Sequence, residues 1–295
     1  MNQFEWKKRG LIYSSRNSDS RMITHASNPL ASHLDGDVFR VFYSGRDCDN
    51  RSSVSYVDIN FRTFEIVNDY KKPIISFGNK HSFYSHGITL GNLWESNGEK
   101  FVGFMGWQHR TGQHWRGDIG KFNLSTKEVS LVLGKNNVDK VSLSYPFVLK
   151  DEGIYKMWYG STISWSSKNG EMIHVLNYAE SLDSIKWDTK GESVPWQIGN
   201  AQAFSRPTVL KANSEYHMWY SYRSGDGTPY RIGYSNSIDG IEWKNSKSNI
   251  DVSEFGWDSE MICYPFVFKH NNTLFMLYNG NGHGKTGFGL ATCKI

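Results

Sequence analysis

A segment of near-constant length recurs along the chain and limits its fold more than any other feature. Residues 145–161 read YPFVLKDEGIYKMWYGS, residues 206–222 read RPTVLKANSEYHMWYSY, and residues 264–280 read YPFVFKHNNTLFMLYNG. Weaker copies precede them: residues 28–45 read NPLASHLDGDVFRVFYSG, and residues 86–107 read HGITLGNLWESNGEKFVGFMGW. The anchors are Pro29, Gly87, Pro146, Pro207 and Pro265, separated by 58, 59, 61 and 58 residues. Each copy reads as a strand, a polar turn and a second strand ending in aromatic and small residues.

A third strand follows each copy, at 53–59, 117–124, 174–181, 231–237 and 287–292. A short fourth strand is clearest at 185–187 and 241–243. Four antiparallel strands per repeat is the pattern of a propeller blade. The last repeat stops after its third strand, at Ile295. The N-terminal run Phe4-Glu5-Trp6-Lys7-Lys8 resembles Ile241-Glu242-Trp243-Lys244-Asn245, so residues 4–12 are expected to close the last blade as its outer strand. Helical periodicity is almost absent. The expected fold is all-β: a five-bladed β-propeller of four-stranded antiparallel blades, in one domain over residues 1–295.

Two recurring patterns read as structural. Ser181, Asp183, Ile185 and Trp187 recur as Ser237, Asp239, Ile241 and Trp243, with each Asp expected to bond turn amides. The triplets Met157-Trp158-Tyr159 and Met218-Trp219-Tyr220 alternate faces along a strand, with one face packed between blades.

Composition removes several function classes. The 33 basic and 29 acidic residues are dispersed and nearly balanced, which argues against nucleic-acid binding. Cys48, Cys263 and Cys293 have no metal-type spacing and are odd in number, so neither a zinc site nor a disulfide framework is expected. No apolar run reaches the roughly 20 residues of a membrane-spanning helix. The segment 1–9 is polar and lacks a signal-peptide core, and a cytoplasmic setting is expected.

Inner strands of a propeller converge on its axis. Their starts carry Ser27-Asn28, Ser85-His86, Ser144-Tyr145, Ser205-Arg206 and Cys263-Tyr264, a recurring polar position that reads as the rim of a ligand pocket. With these repeats, the stretches SEMICYP at 259–265 and YNGNGHGKTGFGLA at 278–291 resemble the five-bladed propeller glycosidase-like proteins, relatives of glycoside hydrolase families 43, 32 and 130. The resemblance implies action on a glycosidic bond in an axial pocket. It also implies two carboxyl groups, one protonating the leaving oxygen and one activating or replacing the nucleophile. Typical hydrolases of this fold have an Asp, often Asp-Pro, at the first inner strand. This chain has Asn28-Pro29 there, and Tyr145-Pro146 where another Asp is common.

The remaining carboxylate candidates are Glu260, just ahead of the fifth inner strand, and Asp47, after Arg46, with Asp258 and Asp118 behind them. Substrate-binding candidates are Asn28, Arg46, His86, Trp107, Tyr145, Arg206, Arg223, Tyr264, His283 and Lys285, with Arg21 and His25 nearby in sequence. An arginine fork near the axis, Arg206 above all, suits a carboxylate or phosphate. The glycines at 280, 282, 284 and 287 lack the following helix of a phosphate loop and read as a loop passing close to the ligand. No cofactor and no metal are expected. The expected partner is an oligosaccharide or an activated sugar. Hydrolysis, phosphorolysis and glycosyl transfer stay open, beside a non-catalytic glycan-binding propeller.

Overall fold

The structure is a computed structural model that describes residues 4–15, 19–109 and 111–295. The first three residues of the polar 1–9 segment thus lie outside the described part. Strand β1 (Lys7–Tyr13) opens the chain. Four antiparallel meanders follow. The first is β2 (Thr24–Asp35), β3 (Val38–Arg46), β4 (Ser52–Asn60) and β5 (Ile66–Ile75). The second is β6 (Gly87–Ser96), β7 (Glu99–Gln108), β8 (Arg116–Asn123) and β9 (Val129–Leu133). The third is β10 (Ser142–Asp151), β11 (Ile154–Ser164), β12 (Ile173–Ser181) and β13 (Asp188–Glu192). The fourth is β14 (Gln202–Ala212), β15 (Glu215–Arg223), β16 (Arg231–Ser237) and β17 (Lys244–Ser246). The chain ends with β18 (Cys263–His270), β19 (Thr273–Asn279), a single turn α1 (Asn281–Gly284) and β20 (Phe288–Lys294).

The N-terminal strand β1 pairs with β20, completing a sheet in the order β1-β20-β19-β18. In sheet pairing among the described residues, the first two meanders share the parallel pair Ser52↔Gly87. First strands touch in cyclic order: β2 with β6, β6 with β10, β10 with β14, β14 with β18, and β18 with β2. Tight hairpins start each meander. Asn97 and Gly98 both have positive φ, 51° and 77°, the conformation whose twist matches that of the flanking strands.

Second strands are buried on both faces because each sheet is packed between neighbours. Met157, Trp158 and Tyr159 are all buried, as are Met218, Trp219 and Tyr220. Trp158 joins the largest apolar cluster, whereas Met157 and Tyr159 join another on the opposite face. Each such side chain contributes roughly 1.5–3 kcal/mol on burial.

Outer strands begin later than the sequence suggests. Residues 185–187 and 241–243 form the bend before β13 and β17. Asp183 accepts from the amides of Ile185 and Lys186 at 2.8 and 2.9 Å, and Asp239 does the same for Ile241 and Glu242. These amides go to carboxylates, so the ladder starts after the Trp. At the N-terminus the paired strand starts at Lys7. Phe4 instead packs edge-on against Trp219 and His217.

Among the described residues, no helix is long and apolar enough to cross a membrane. Cys48, Cys263 and Cys293 are free thiols.

Candidate functional site

Each first strand carries a β-bulge at the same level. The bulges fall between Ser27 and Leu30, Leu90 and Leu93, Ser144 and Phe147, Ser205 and Thr208, and Cys263 and Phe266. A bulge adds an unpaired residue and re-aims its side chain. Four of these residues precede proline and hold a left-handed φ: Asn28 at 55°, Tyr145 at 38°, Arg206 at 49° and Tyr264 at 54°. That region is uncommon for non-glycine residues, and the pre-proline position favours extended backbone. The same left-handed conformation thus recurs at four equivalent positions of the fold.

The fifth position is Gly91, not the Gly87 anchor of the sequence repeat. A Cβ on Gly91 would lie 2.1 Å from the Pro146 carbonyl oxygen, so only glycine lets the two strands approach. His86 therefore sits outside this ring, at the junction of β4 and β6.

Arg206 crosses the axis. Its Nε donates to the Leu90 carbonyl at 3.1 Å. Nη1 donates to the carbonyls of Tyr264 and Pro265 at 2.6 and 3.3 Å, and Nη2 to those of Pro29 and Gly91 at 2.7 and 3.5 Å. The side chain ties β14 to β2, β6 and β18. It is only 1% exposed, and burial pulls its guanidinium down to about 9. This corrects the expectation that its fork faces an anionic sugar. The fork is committed to carbonyls and closes the axis as a plug.

The mouth above the plug is walled by rings. Tyr145 and Tyr264 lie 5.5 Å apart, and Tyr264 Oη is 3.5 Å from His283 Nδ1. Tyr230 packs edge-on to His283 at 5.8 Å, with the Arg223 guanidinium 5.6 Å from its ring centre. Burial raises the phenols of Tyr145, Tyr264 and Tyr230, so all three are hydroxyl donors at neutral pH. The α1 turn is pinned to β2 through Ser27 Oγ, which donates to the His283 carbonyl at 2.5 Å. Burial lowers His283, helped by Arg46 and Arg223. His25 is held at about 4 by burial and by Arg46, His283 and Lys285. Asn28, Arg46, Tyr145, Arg223, Tyr264, His283 and Lys285 are therefore one constellation, as their shared neighbours show.

Asp47, His86 and Trp107 form a second group on the flank. Asp47 Oδ1 accepts from the amides of Asp49 and Arg51 at 2.9 and 2.8 Å, and Oδ2 pairs with Arg51 Nε at 2.9 Å. Its carboxylate is buried and fully engaged in holding the β3–β4 loop, which corrects its expected catalytic role. Its partner is Arg51, not Arg46. Trp107 donates from Nε1 to Ser52 Oγ at 3.0 Å, with its ring 5.8 Å from His86. Burial lowers His86, with His109 and Arg51 adding to the effect.

Glu260 is exposed and its side chain makes no hydrogen bond or ion pair among the described residues. Its amide donates to Asn281 Oδ1 at 2.9 Å, which places it beside the α1 turn. Asp258 is buried under Lys8 and Tyr278, Asp118 pairs with Arg116, and Arg21 pairs with Asp19. Two clefts of about 730 and 330 Å³ lie elsewhere on the surface and contain none of the expected site residues.

Uncharacterized protein Rv1502 of Mycobacterium tuberculosis strain H37Rv is 34% identical over 302 residues, covering 98% of this chain and 99% of its own. The chain belongs to the same family as Rv1502. Its counterpart in strain CDC 1551, Uncharacterized protein MT1551, matches over the same span at 34% identity. No family model matches the chain. Among solved structures, a glycoside hydrolase superposes with a TM-score of 0.75 at 15% identity, over 99% of this chain and 92% of that one. A glycosyl hydrolase from Bacteroides ovatus gives 0.70 at 12% identity, over 98% and 93%. A thermostable family-43 glycoside hydrolase gives 0.64 at 15% identity, over 96% and 91%. The Rv1502 family thus has the fold of the glycosidase-like β-propellers.

Three further features of this family member were not singled out from sequence. Tyr230 completes the ring wall of the mouth. Glu171 Oε2 lies 3.1 Å from Arg223 Nε as an ion pair not aligned for a hydrogen bond. Trp165 stacks on His114 at 4.9 Å and meets Trp115 edge-on at 4.6 Å, on loops at the mouth end of β8 and β12. All five lie on connections from a second to a third strand, the level at which β3 ends on Arg46 and His283 follows β19. That position is the signal from which they are legible.

Proposed function

We propose that the chain is a carbohydrate-active enzyme of glycosidase type. In this reading, residues 1–295 form one five-bladed propeller domain, and a glycosyl unit is cleaved or transferred at its axial mouth. The cyclic contacts of the five first strands, and the closure of the last sheet by β1, support the blade count. One observation carries the functional reading. On the fold of glycoside hydrolases, a plug at Arg206 floors a mouth walled by Tyr145, Tyr264, Tyr230 and His283. Such a floor turns an axial channel into a blind pocket. Aromatic walls with hydroxyl donors suit a sugar ring, whose faces are apolar and whose edges carry hydroxyls.

Glycosidic cleavage needs a proton at the leaving oxygen. Glu260 is the carboxylate we assign to it, because it is unpaired and adjoins the α1 turn that carries His283. Asn28 and Tyr145 stand where the glycosidase-like fold commonly has Asp, which shifts the expected substrate away from an ordinary neutral polymer and towards an activated or substituted sugar. Trp107 and His86 lie on the flank, outside the mouth.

A product scan in ¹⁸O-water over oligosaccharides and sugar nucleotides, with and without phosphate, tests the reading. Labelled sugar indicates hydrolysis, a phosphate-dependent sugar phosphate indicates phosphorolysis, and unlabelled chain extension indicates transfer. Glu260→Gln should lower turnover at least 100-fold with glycan binding retained. Glycan binding with no product from any donor would replace the enzyme reading by a glycan-binding one.

A further inference from the structure

We propose that the axial mouth is an anion site that takes a phosphate or carboxylate carried by the sugar. This rests on the glycosyl-binding reading above and names its substrate class. The charge comes from Arg46 and Lys285, not from Arg206. A short path of contacts brings them together. Arg46 is the register partner of Thr24, and Thr24 Oγ1 bonds its carbonyl at 3.5 Å. His25 follows Thr24 and bonds the Gly282 backbone. The Lys285 amide bonds the Gly282 carbonyl at 3.2 Å, closing the same turn. The charges acting on His25 are Arg46, His283 and Lys285, all cationic when charged.

Neither cation is neutralised. Among the described residues no ion pair includes Arg46 or Lys285, and the Arg46 side chain has only Asn50 Oδ1 at 3.4 Å. The third cation at the mouth, Arg223, is already matched by Glu171. A surface arginine commonly finds a carboxylate. Two cations acting on His25 at the mouth, neither with a carboxylate partner, leave a positive field there.

An independent observation points to the same ligand. The Asn28 carboxamide is 1% exposed, and its Nδ2 has no partner among the described residues. Its backbone is fixed, since the Asn28 amide donates to Asn279 Oδ1 at 2.8 Å. Asn28 occupies the bulge position equivalent to Tyr145 and Tyr264. A buried donor without an acceptor is costly, and an oxyanion supplies the acceptor. The tyrosine hydroxyls are left for the ring hydroxyls of the sugar.

The test is titration calorimetry of the full chain with glucose 1-phosphate, glucuronic acid, glucose and inorganic phosphate. At least one of the three anionic probes should bind tenfold tighter than glucose. The preferred probe tells a phosphate source from a carboxylate source. That preference should fall at least tenfold in Arg46→Met/Lys285→Met. Asn28→Asp, which places a carboxylate at the orphan donor, should abolish anion binding. The two surface substitutions keep the test available where the buried one disturbs folding. Anionic probes binding no better than glucose, or binding equally well to Arg46→Met/Lys285→Met, would overturn the anion site. Turnover of a neutral glycan alongside that result would leave the enzyme reading standing. Arg46-dependent phosphate binding with no glycosyl product from any donor would uphold the anion site and sink the enzyme reading.

Discussion

Arg206 on the fourth first strand donates to the carbonyl of Pro29 on the first, 2.7 Å away across the axis. The contact spans 177 residues of sequence and is one of five that the same guanidinium makes. Its acceptors are backbone oxygens, so its hydrogen bonds use no side-chain atom of the residues it touches.

Removing the plug should be costly. Arg206→Leu leaves the carbonyls of Leu90, Pro29 and Tyr264 buried without donors. A loss of about 3–5 kcal/mol is expected, as for breaking other buried charged networks. Thermal melting should fall by roughly 6–20 °C, at about 2–4 °C per kcal/mol for larger domains. A melt within 2 °C of wild type would show that the axis is held by other contacts.

Gly91 should tolerate no side chain. In Gly91→Ala the new Cβ would sit 2.1 Å from the Pro146 oxygen, which is backbone and has little room to move. Overpacking of this kind costs on the order of 1–3 kcal/mol. Urea midpoints for Gly91→Ala and wild type measure it directly.

Asp47 should matter for stability and not for the chemical step. Asp47→Ala strips acceptors from two amides and from Arg51. A destabilisation of about 1–2 kcal/mol is expected. Per folded molecule, turnover should stay within about threefold of wild type, whereas Glu260→Gln should show the reverse pattern. Equal losses of turnover in both would return Asp47 to the catalytic pair.

Acid should weaken the fold before it protonates most carboxylates. Burial lowers His174 to about 3, and burial with nearby cations lowers His25 to about 4. In the unfolded chain both titrate near 6.5. As pH drops below that value the unfolded state binds protons that the native state refuses. Stability is therefore full above about pH 6.5 and declines towards pH 4. Urea unfolding at pH 7.5, 6.0 and 5.0 checks the sign. His174→Gln should flatten the decline, because it removes the group with the lowest native pKa of the pair.

An anion in the mouth should reverse part of this trend locally. A bound anion beside His25 opposes the charges of Arg46 and Lys285, which add to burial in holding it neutral. Affinity for glucuronate, whose charge is constant over this range, is then expected to rise by threefold or more between pH 8 and pH 5.5, with proton uptake measurable in buffers of different ionisation enthalpy. The expectation shares the premise of the anion site and fails with it.

The periodicity was legible because proline and aromatic residues recur where first and second strands need them. It misplaces the second repeat, since Gly91-Asn92 takes the bulge without a proline and Gly87 imitates the anchor. The ring residues Asn28, Tyr145 and Tyr264 could be read from strand starts alone. The role of Arg206 could not, because its acceptors are backbone carbonyls on other strands and leave no trace in composition. Asp47 failed for a local reason: its partner is four residues ahead, where a loop closes, and not the adjacent Arg46. Glu171 is marked by its place between a second and a third strand and by no sequence repeat, because its loop has no counterpart to align it.

The pairing of Lys7 with Thr292 also has a kinetic side. During synthesis β1 emerges without its partner and waits for eighteen intervening strands before β20 exists. Closing so long a loop is entropically slow, though the added cost grows only with the logarithm of its length. Until then the nascent chain carries an open edge at each end of its growing series of sheets. Once β20 exists, its pairing with β1 joins the two ends of that series.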